Sequence, residues 1–341
     1  EDAIHEIEEN SHTILERMKS YNGDKAVGTK VVIPNKSFSE KIIFTSSNPY
    51  SFSEIISNSE VQKQDVFGQL VVPKDTLKPN KKYPLIIGVA GSEGWKNHHY
   101  DYLKMYQDLG YATFELNSFK SRNIKSTVGK QNQVTVAAMV FDAYKALEKL
   151  SKHPSIDKDK ISITGWSLGG GVTLFSAWKP IIKALGQSVN FASHLAFYPP
   201  CFFDFEEMSF SDSPIHILIG ELDDWTPSAP CNKLVELLSN NSNIGITVFK
   251  DSHHGFDREG DLEINPNGYS FKDCTFKLTG DGEVLMNYLN IPMSNALLQK
   301  IGFLFCAKKG VTIGGDLRAR KEAFVFAKDF MVRSLRSVSY T

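Results

Sequence analysis

The sequence predicts an α/β fold, a mostly parallel central sheet with helices on both faces, and three observations carry that expectation. From Tyr83 onward, short continuous apolar runs alternate with amphipathic segments, as strands buried on both faces alternate with the helices that cover them. One run, Lys160-Ile161-Ser162-Ile163-Thr164, leads straight into Gly165-Trp166-Ser167-Leu168-Gly169-Gly170-Gly171, a strand-to-helix turn crowded with glycine. Two later strands each open into a loop bearing acids or histidines, Gly220–Pro227 and Lys250–Phe256. In open sheets of this kind the ligand site lies at the carboxyl ends of the strands.

The elements follow in order. Between Ala3 and Met18, the side chains Ile4, Ile7, Ile14, Leu15 and Met18 recur at helical spacing and predict an N-terminal helical arm. Lys30–Pro34, Lys41–Thr45 and Val66–Val72 are β-rich, are punctuated by Pro73, Pro79 and Pro84, and predict antiparallel strands at one edge of the sheet. The alternating core then reads as strand Leu85–Ala90, helix Tyr100–Leu109, strand Ala112–Leu116, helix Val134–Leu150, strand Ile161–Thr164 and a helical region Leu168–Leu185. Strands Ala192–Phe197 and Ile215–Ile219, a helix near Cys231–Leu238 and strand Ile244–Phe249 complete it. Asp261–Gly310 reads as irregular around a helix at Ser294–Phe303, and Leu317–Leu335 closes the chain as a helix. The expected organisation is an N-terminal extension over 1–60 and one α/β domain over 61–341, in which 261–315 is a C-terminal insertion or cap.

Bulk composition narrows the function. The chain has 341 residues, 41% of them hydrophobic and 23% charged, as an ordinary globular protein does. A formal net charge of -1 gives no electrostatic case for nucleic acid or an anionic membrane surface, and no apolar run is long enough to span a bilayer. Cys201, Cys231, Cys274 and Cys306 lack C-x-x-C spacing, which argues against zinc or thioredoxin-type chemistry. Two readings of them stay open. In an exported protein, nearness in sequence pairs Cys201 with Cys231 and Cys274 with Cys306; in a reducing compartment all four are buried thiols. Glu1 at the head of the chain fits signal-peptide removal or a trimmed N-terminus, and the expectation leans to export over the cytoplasm.

A serine hydroxyl is a poor nucleophile at neutral pH and needs a base on one side and a carbonyl carbon on the other. The turn at Ser167 would lift one hydroxyl above the sheet edge, beside the unpaired N–H groups and positive dipole of a helix start, which makes the Leu168 N–H an oxyanion donor. The bland alternatives are an unoccupied glycine turn and a phosphate loop, and no lysine follows the glycines as a phosphate loop requires. A carboxylate and a histidine should come later, each just past a strand. Asp223 and His254 do, in the order Ser, Asp, His. His254 would take and return the proton, and Asp223 would fix its tautomer. Asp224 and Glu221 are assigned to turn or cap roles, and His253 to a neighbour. With no third clustered ligand, the two histidines do not suggest metal, and the chemistry needs no cofactor. A second oxyanion donor is expected in Gly91-Ser92-Glu93-Gly94-Trp95, Ser92 first and Gly91 next, each such donor contributing ~3 kcal/mol to the transition state. Glu93, Phe119, Arg122, Trp166, Trp225 and Phe256 are candidates for pocket walls, with solvated or core roles as the alternative. Arg122 would bind a substrate carboxylate or pair with a nearby acid.

From about Phe67 to Ser334 the chain resembles the dienelactone hydrolase family of α/β-hydrolases. The resemblance rests on Gly91-Ser92-Glu93-Gly94, on Asn117-Ser118-Phe119-Lys120-Ser121-Arg122 and on Gly165-Trp166-Ser167-Leu168-Gly169-Gly170. It extends through Gly220-Glu221-Leu222-Asp223-Asp224-Trp225-Thr226-Pro227 and His253-His254-Gly255-Phe256-Asp257. It implies an α/β-hydrolase fold, with Asp223 as the acid and His254 as the base. The family's namesakes carry cysteine as nucleophile, and Ser167 makes this chain similar to the serine esterase branch. The expected activity is cleavage of a small-molecule carboxylic ester or lactone through an acyl-enzyme. Alternatives are a serine peptidase of the prolyl oligopeptidase type and a non-catalytic binding protein on the same fold.

Overall fold

In the computed structural model the apolar runs become one eight-stranded sheet. The structure describes residues 37–73, 81–130, 132–185, 188–286 and 290–336, so the expected arm Ala3–Met18 and strand Lys30–Pro34 lie outside the described residues. The strands are β1 (Ser37–Ser47), β2 (Lys63–Pro73), β3 (Tyr83–Val89), β4 (Ala112–Leu116), β5 (Ile156–Trp166), β6 (His194–Phe197), β7 (Phe203–Phe205), β8 (Ile215–Gly220) and β9 (Ile244–Phe249). Four more follow, β10 (Glu263–Ser270), β11 (Phe276–Leu278), β12 (Val284–Met286) and β13 (Lys308–Ile313). The helices are α1 (Phe52–Ile56), α2 (Asn97–Asp108), α3 (Val136–Leu150), α4 (Leu168–Phe175), α5 (Lys179–Leu185), α6 (Ser228–Leu238), α7 (Ala296–Cys306) and α8 (Leu317–Leu335).

The large sheet runs in the order β1-β2-β4-β3-β5-β6-β8-β9. β2 is antiparallel to both β1 and β4, and every pairing from β4 to β9 is parallel. Its central strands are apolar on both faces: Leu85, Ile86 and Ile87 are wholly buried, as are Ile161 and Ile163. Residues 37–60, expected in the N-terminal extension, add the edge strand β1 and send Phe52 and Ile55 of α1 into the main core.

Local chemistry sets the helix ends. Thr135 caps α3 by accepting the Ala138 N–H, and the Asp316 carboxylate caps α8 by accepting from Arg318 and Ala319. The helical region expected over Leu168–Leu185 is two helices. The chain tightens into i→i−3 bonds at Ala177 and Trp178, and Pro180, which has no N–H to give, lies in the first turn of α5.

The segment expected to be irregular is largely built. β10 pairs antiparallel with β13, β11 lies between β12 and β7, and α7 packs beside them. These elements form a second, smaller core of Phe202, Trp225, Phe271, Phe276, Met286 and Met293. Cys201 is joined to Cys231 and Cys274 to Cys306. The second bridge ties the approach to β11 to the end of α7. Among the described residues no helix is long and apolar enough to cross a membrane.

Candidate active site

Ser167 stands at the junction of β5 and α4 with φ of 54°, a conformation that residues with side chains rarely adopt. Glycine makes the crossing passable: a Cβ on Gly165 would meet the Gly169 carbonyl oxygen at 2.2 Å, and one on Gly169 would meet that of Val89 at 2.1 Å. The Ser167 N–H donates to the Phe197 carbonyl at 2.9 Å, which pins the turn to β6. Its hydroxyl lies 2.9 Å from His254 Nε2.

Past the end of β8, Asp223 Oδ1 accepts the N–H groups of Trp225 (2.9 Å) and Thr226 (2.8 Å). Its Oδ2 stands 2.8 Å from His254 Nδ1. An ionised carboxylate only accepts, so the proton of a neutral ring belongs on Nδ1 and the Nε2 lone pair faces the serine hydroxyl. The Thr226 hydroxyl donates to the Tyr198 carbonyl at 3.0 Å and lies 3.1 Å from Nδ1, closing the ring in from the side. Asp223 and His254 are both buried. Asp224 accepts the N–H and hydroxyl of Thr312 and so holds β13, while Glu221 accepts the Asp251 N–H.

The Leu168 N–H is the first of α4, where helix geometry leaves donors without an intrahelical partner. The loop after β3 comes close to this point. A Cβ on Gly91 would stand 3.0 Å from the Trp166 carbonyl oxygen and 3.2 Å from Ser167 Cβ. The carbonyl of Gly91 accepts the Gly94 N–H and that of Ser92 accepts the Thr127 N–H, which fixes the loop's orientation. Ser92 and Leu168 border one cavity together with Ser167.

Two cavities meet at the serine. One, of about 40 Å³, is bordered by Glu93, Lys96, His254 and Arg258 and also by Trp166, Tyr198, Trp225 and Ile313. The other, of about 150 Å³, is walled by Phe175, Phe202, Phe203, Phe271, Phe276 and Phe303. Glu93 lies in the smaller one, 3.5 Å from Lys96 and 3.6 Å from Arg258, with Asn265 donating to it. Trp225 borders both and faces the His254 ring at 4.9 Å. Trp166 backs the smaller cavity and donates its indole N–H to Asp257 at 3.0 Å.

Three expected wall residues stand elsewhere. Phe119 borders a separate cavity with Leu116 and Met139. The Arg122 guanidinium is directed to Asp142 at 2.7 and 3.0 Å and to Asn48, Ser118 and Ser47, so it pairs with an acid of this chain. Phe256 packs on Phe249 and Tyr198 in the core. Sequence reasoning missed the phenylalanine cluster, whose one signal was the density of Phe at 202, 203, 205, 271 and 276. It also missed Tyr50, whose hydroxyl donates to Gln299 of α7 at 3.0 Å on the apolar cavity's border.

Burial moves several histidines. The ring of His99 behind the site is held well below its ordinary value by burial and by the adjacent His98, which burial also lowers. Among the described residues no group of three or more His, Cys, Asp or Glu could hold a metal ion.

The model of the dienelactone hydrolase family matches residues 75–273. Among solved structures, a dienelactone hydrolase-like promiscuous phosphotriesterase from metagenomic libraries superposes with a TM-score of 0.50 at 12% identity, over 87% of this chain and 99% of that one. That likeness is one of fold. Esterase 2 of Thermogutta terrifontis aligns with a TM-score of 0.46 at 18% identity, over 56% of this chain and 81% of its own. By sequence, dipeptidyl peptidase 8 of Homo sapiens is 29% identical over 140 residues, 37% of this chain and 15% of that protein. The chain spans less than a fifth of the length, 14% to 19%, of the curated relatives it matches.

Proposed function

The chain belongs to the dienelactone hydrolase family, and from that premise we propose that it cleaves carboxylic esters or lactones through an acyl-enzyme on Ser167. The observation that carries this is the unbroken run from the Ser167 hydroxyl to His254 Nε2 (2.9 Å) and from Nδ1 to Asp223 (2.8 Å). As Ser167 attacks the carbonyl carbon, its proton passes to Nε2 and Asp223 stabilises the resulting imidazolium. The oxyanion forms beside the Leu168 and Ser92 N–H groups. Collapse expels the alcohol, which takes the proton from Nε2, and water then repeats the sequence on the acyl-enzyme.

A fluorophosphonate probe followed by peptide mapping tests the nucleophile. Label on Ser167, lost in Ser167→Ala together with ester turnover, is expected; equal turnover by the variant would refute the assignment. The dipeptidyl peptidase relatives favour a second reading, the serine peptidase of the prolyl oligopeptidase type that the sequence left as an alternative. Aminoacyl-proline anilides turned over better than simple esters would establish it. With two disulfides among the described residues, we also propose an oxidising, extracytoplasmic compartment, testable by fractionating the cells that make the protein.

A further inference from the structure

The two cavities that meet at Ser167 differ in size and in which catalytic group they touch. Ser92, Ser167 and Trp225 border both. His254 borders the smaller cavity and does not border the larger one. That asymmetry decides which half of an ester goes where. The leaving oxygen must come within hydrogen-bond reach of Nε2 to receive its proton, so the alcohol has to extend into the cavity that His254 walls. The acyl carbon stays bonded to Ser167 Oγ, and its chain is left with the other cavity.

We infer that the preferred substrate is an ester of a bulky, apolar, aromatic-bearing acid with a small hydrophilic alcohol, the acid lying among Phe202, Phe271, Phe276 and Phe303 and the alcohol beside Glu93 and Lys96. This rests on the ester-hydrolase proposal above and adds the orientation and the class of acid. Volume points the same way: the cavity walled by phenylalanines is about 150 Å³ and the one that His254 borders about 40 Å³. The charged groups bordering the smaller cavity, Glu93 with Lys96 at 3.5 Å and Arg258 at 3.6 Å, disfavour a large apolar alcohol, which would strip water from them without replacing its hydrogen bonds. In the apolar cavity the phenylalanines offer aromatic faces and edges. The rings of Phe202 and Phe271 are stacked at 4.7 Å, and Phe303 meets Phe271 edge-on at 5.2 Å. Phe271, Phe276 and Phe303 all come from the segment between β9 and α8, so that segment sets the acid specificity.

Mirror-image substrates test the orientation. Steady-state kcat/KM is measured for glyceryl acetate, glyceryl 4-phenylbutanoate and 4-phenylbutyl acetate. The glyceryl phenylbutanoate should exceed glyceryl acetate by about tenfold or more, while phenylbutyl acetate should gain nothing. Val136→Phe, at the start of α3 on the apolar cavity's border, should lower the ratio of phenylbutanoate to acetate turnover by about tenfold. Because a ratio of two substrates is read, loss of folded enzyme does not mimic the effect. A gain with phenylbutyl acetate instead, or no gain in either direction, would overturn the orientation and leave ester hydrolysis standing. Absence of turnover of all three, with no fluorophosphonate label on Ser167, would sink both.

Discussion

At the scale of single residues, the proposed chemistry turns on which nitrogen of His254 carries its proton. The Asp223 carboxylate can only accept, so it draws the proton to Nδ1 and leaves Nε2 open to Ser167. Asp223→Asn would reverse this, because an amide N–H facing Nδ1 moves the proton to Nε2. With packing nearly unchanged, kcat should fall by about 10⁴ while the circular dichroism spectrum stays that of the wild type. An unchanged kcat would mean that the tautomer is set by something else. The three residues of this relay were legible in the sequence because each sits in a short local pattern just past an apolar strand. Arg122 and Phe256 were not legible in the same way. A guanidinium promised to Asp142 and one awaiting a substrate look alike in sequence, since the partner lies twenty residues away on α3. An aromatic side chain after a strand likewise gives no sign of whether it faces the cavity or the core.

At the scale of elements, the parallel sheet and its helices were legible because period and length agree there, whereas the segment between β9 and α8 was not. β11 and β12 are three residues each, too short to show alternation, and β10 contains Pro266 and Gly268, residues that ordinarily mark turns. What holds these elements is long-range: the pairing of β10 with β13, the hydrogen bonds from Thr312 to Asp224, and the Cys274–Cys306 bridge. Removing that bridge frees a loop of sequence separation 32, worth about 3–4 kcal/mol in chain entropy. Cys274→Ala/Cys306→Ala should therefore speed hydrogen exchange selectively over 271–306, and uniform protection in the variant would contradict the role given to the bridge. A second tie between elements lies under β1. The Asp142 carboxylate accepts from Arg122 and from Ser46, joining α3 to the turn at 120–122 and to the end of β1. Both side chains of the ion pair are shielded from water. Arg122→Leu strands a buried carboxylate and should cost about 3–5 kcal/mol in urea unfolding. Adding Asp142→Leu should recover much of that loss, because no unpaired charge then remains buried. A double variant as unstable as the single would show that the pair supplies something beyond mutual neutralisation.

Over the whole molecule, the buried histidines impose a shared response to acid. Burial pushes His194 on β6 down to about 3 and His216 on β8 down to about 4, and it lowers His98 and His99 on α2 as well. In the unfolded chain these rings titrate near the ordinary value, about 6.5. Below that pH the unfolded state binds protons that the folded state refuses, so stability is complete above about pH 6.5 and falls as pH drops toward 4. His194 and His216 each contribute up to about 1.4 kcal/mol per pH unit within this window. Carboxylates act in a different range. Glu148, held below its ordinary value by hydrogen bonds from Lys152 and Lys145, contributes its part above about pH 4.3 and loses it only as pH falls further. The decline between pH 6.5 and 4.5 therefore belongs to the histidines. Urea unfolding across this interval should show midpoints falling steadily with acidity, and His194→Gln should reduce the slope by about one proton whatever it does to absolute stability. Should the variant keep the full slope, His194 would have to be protonated inside the fold, against the packing of its ring beside Phe191 and its burial between β5 and β8.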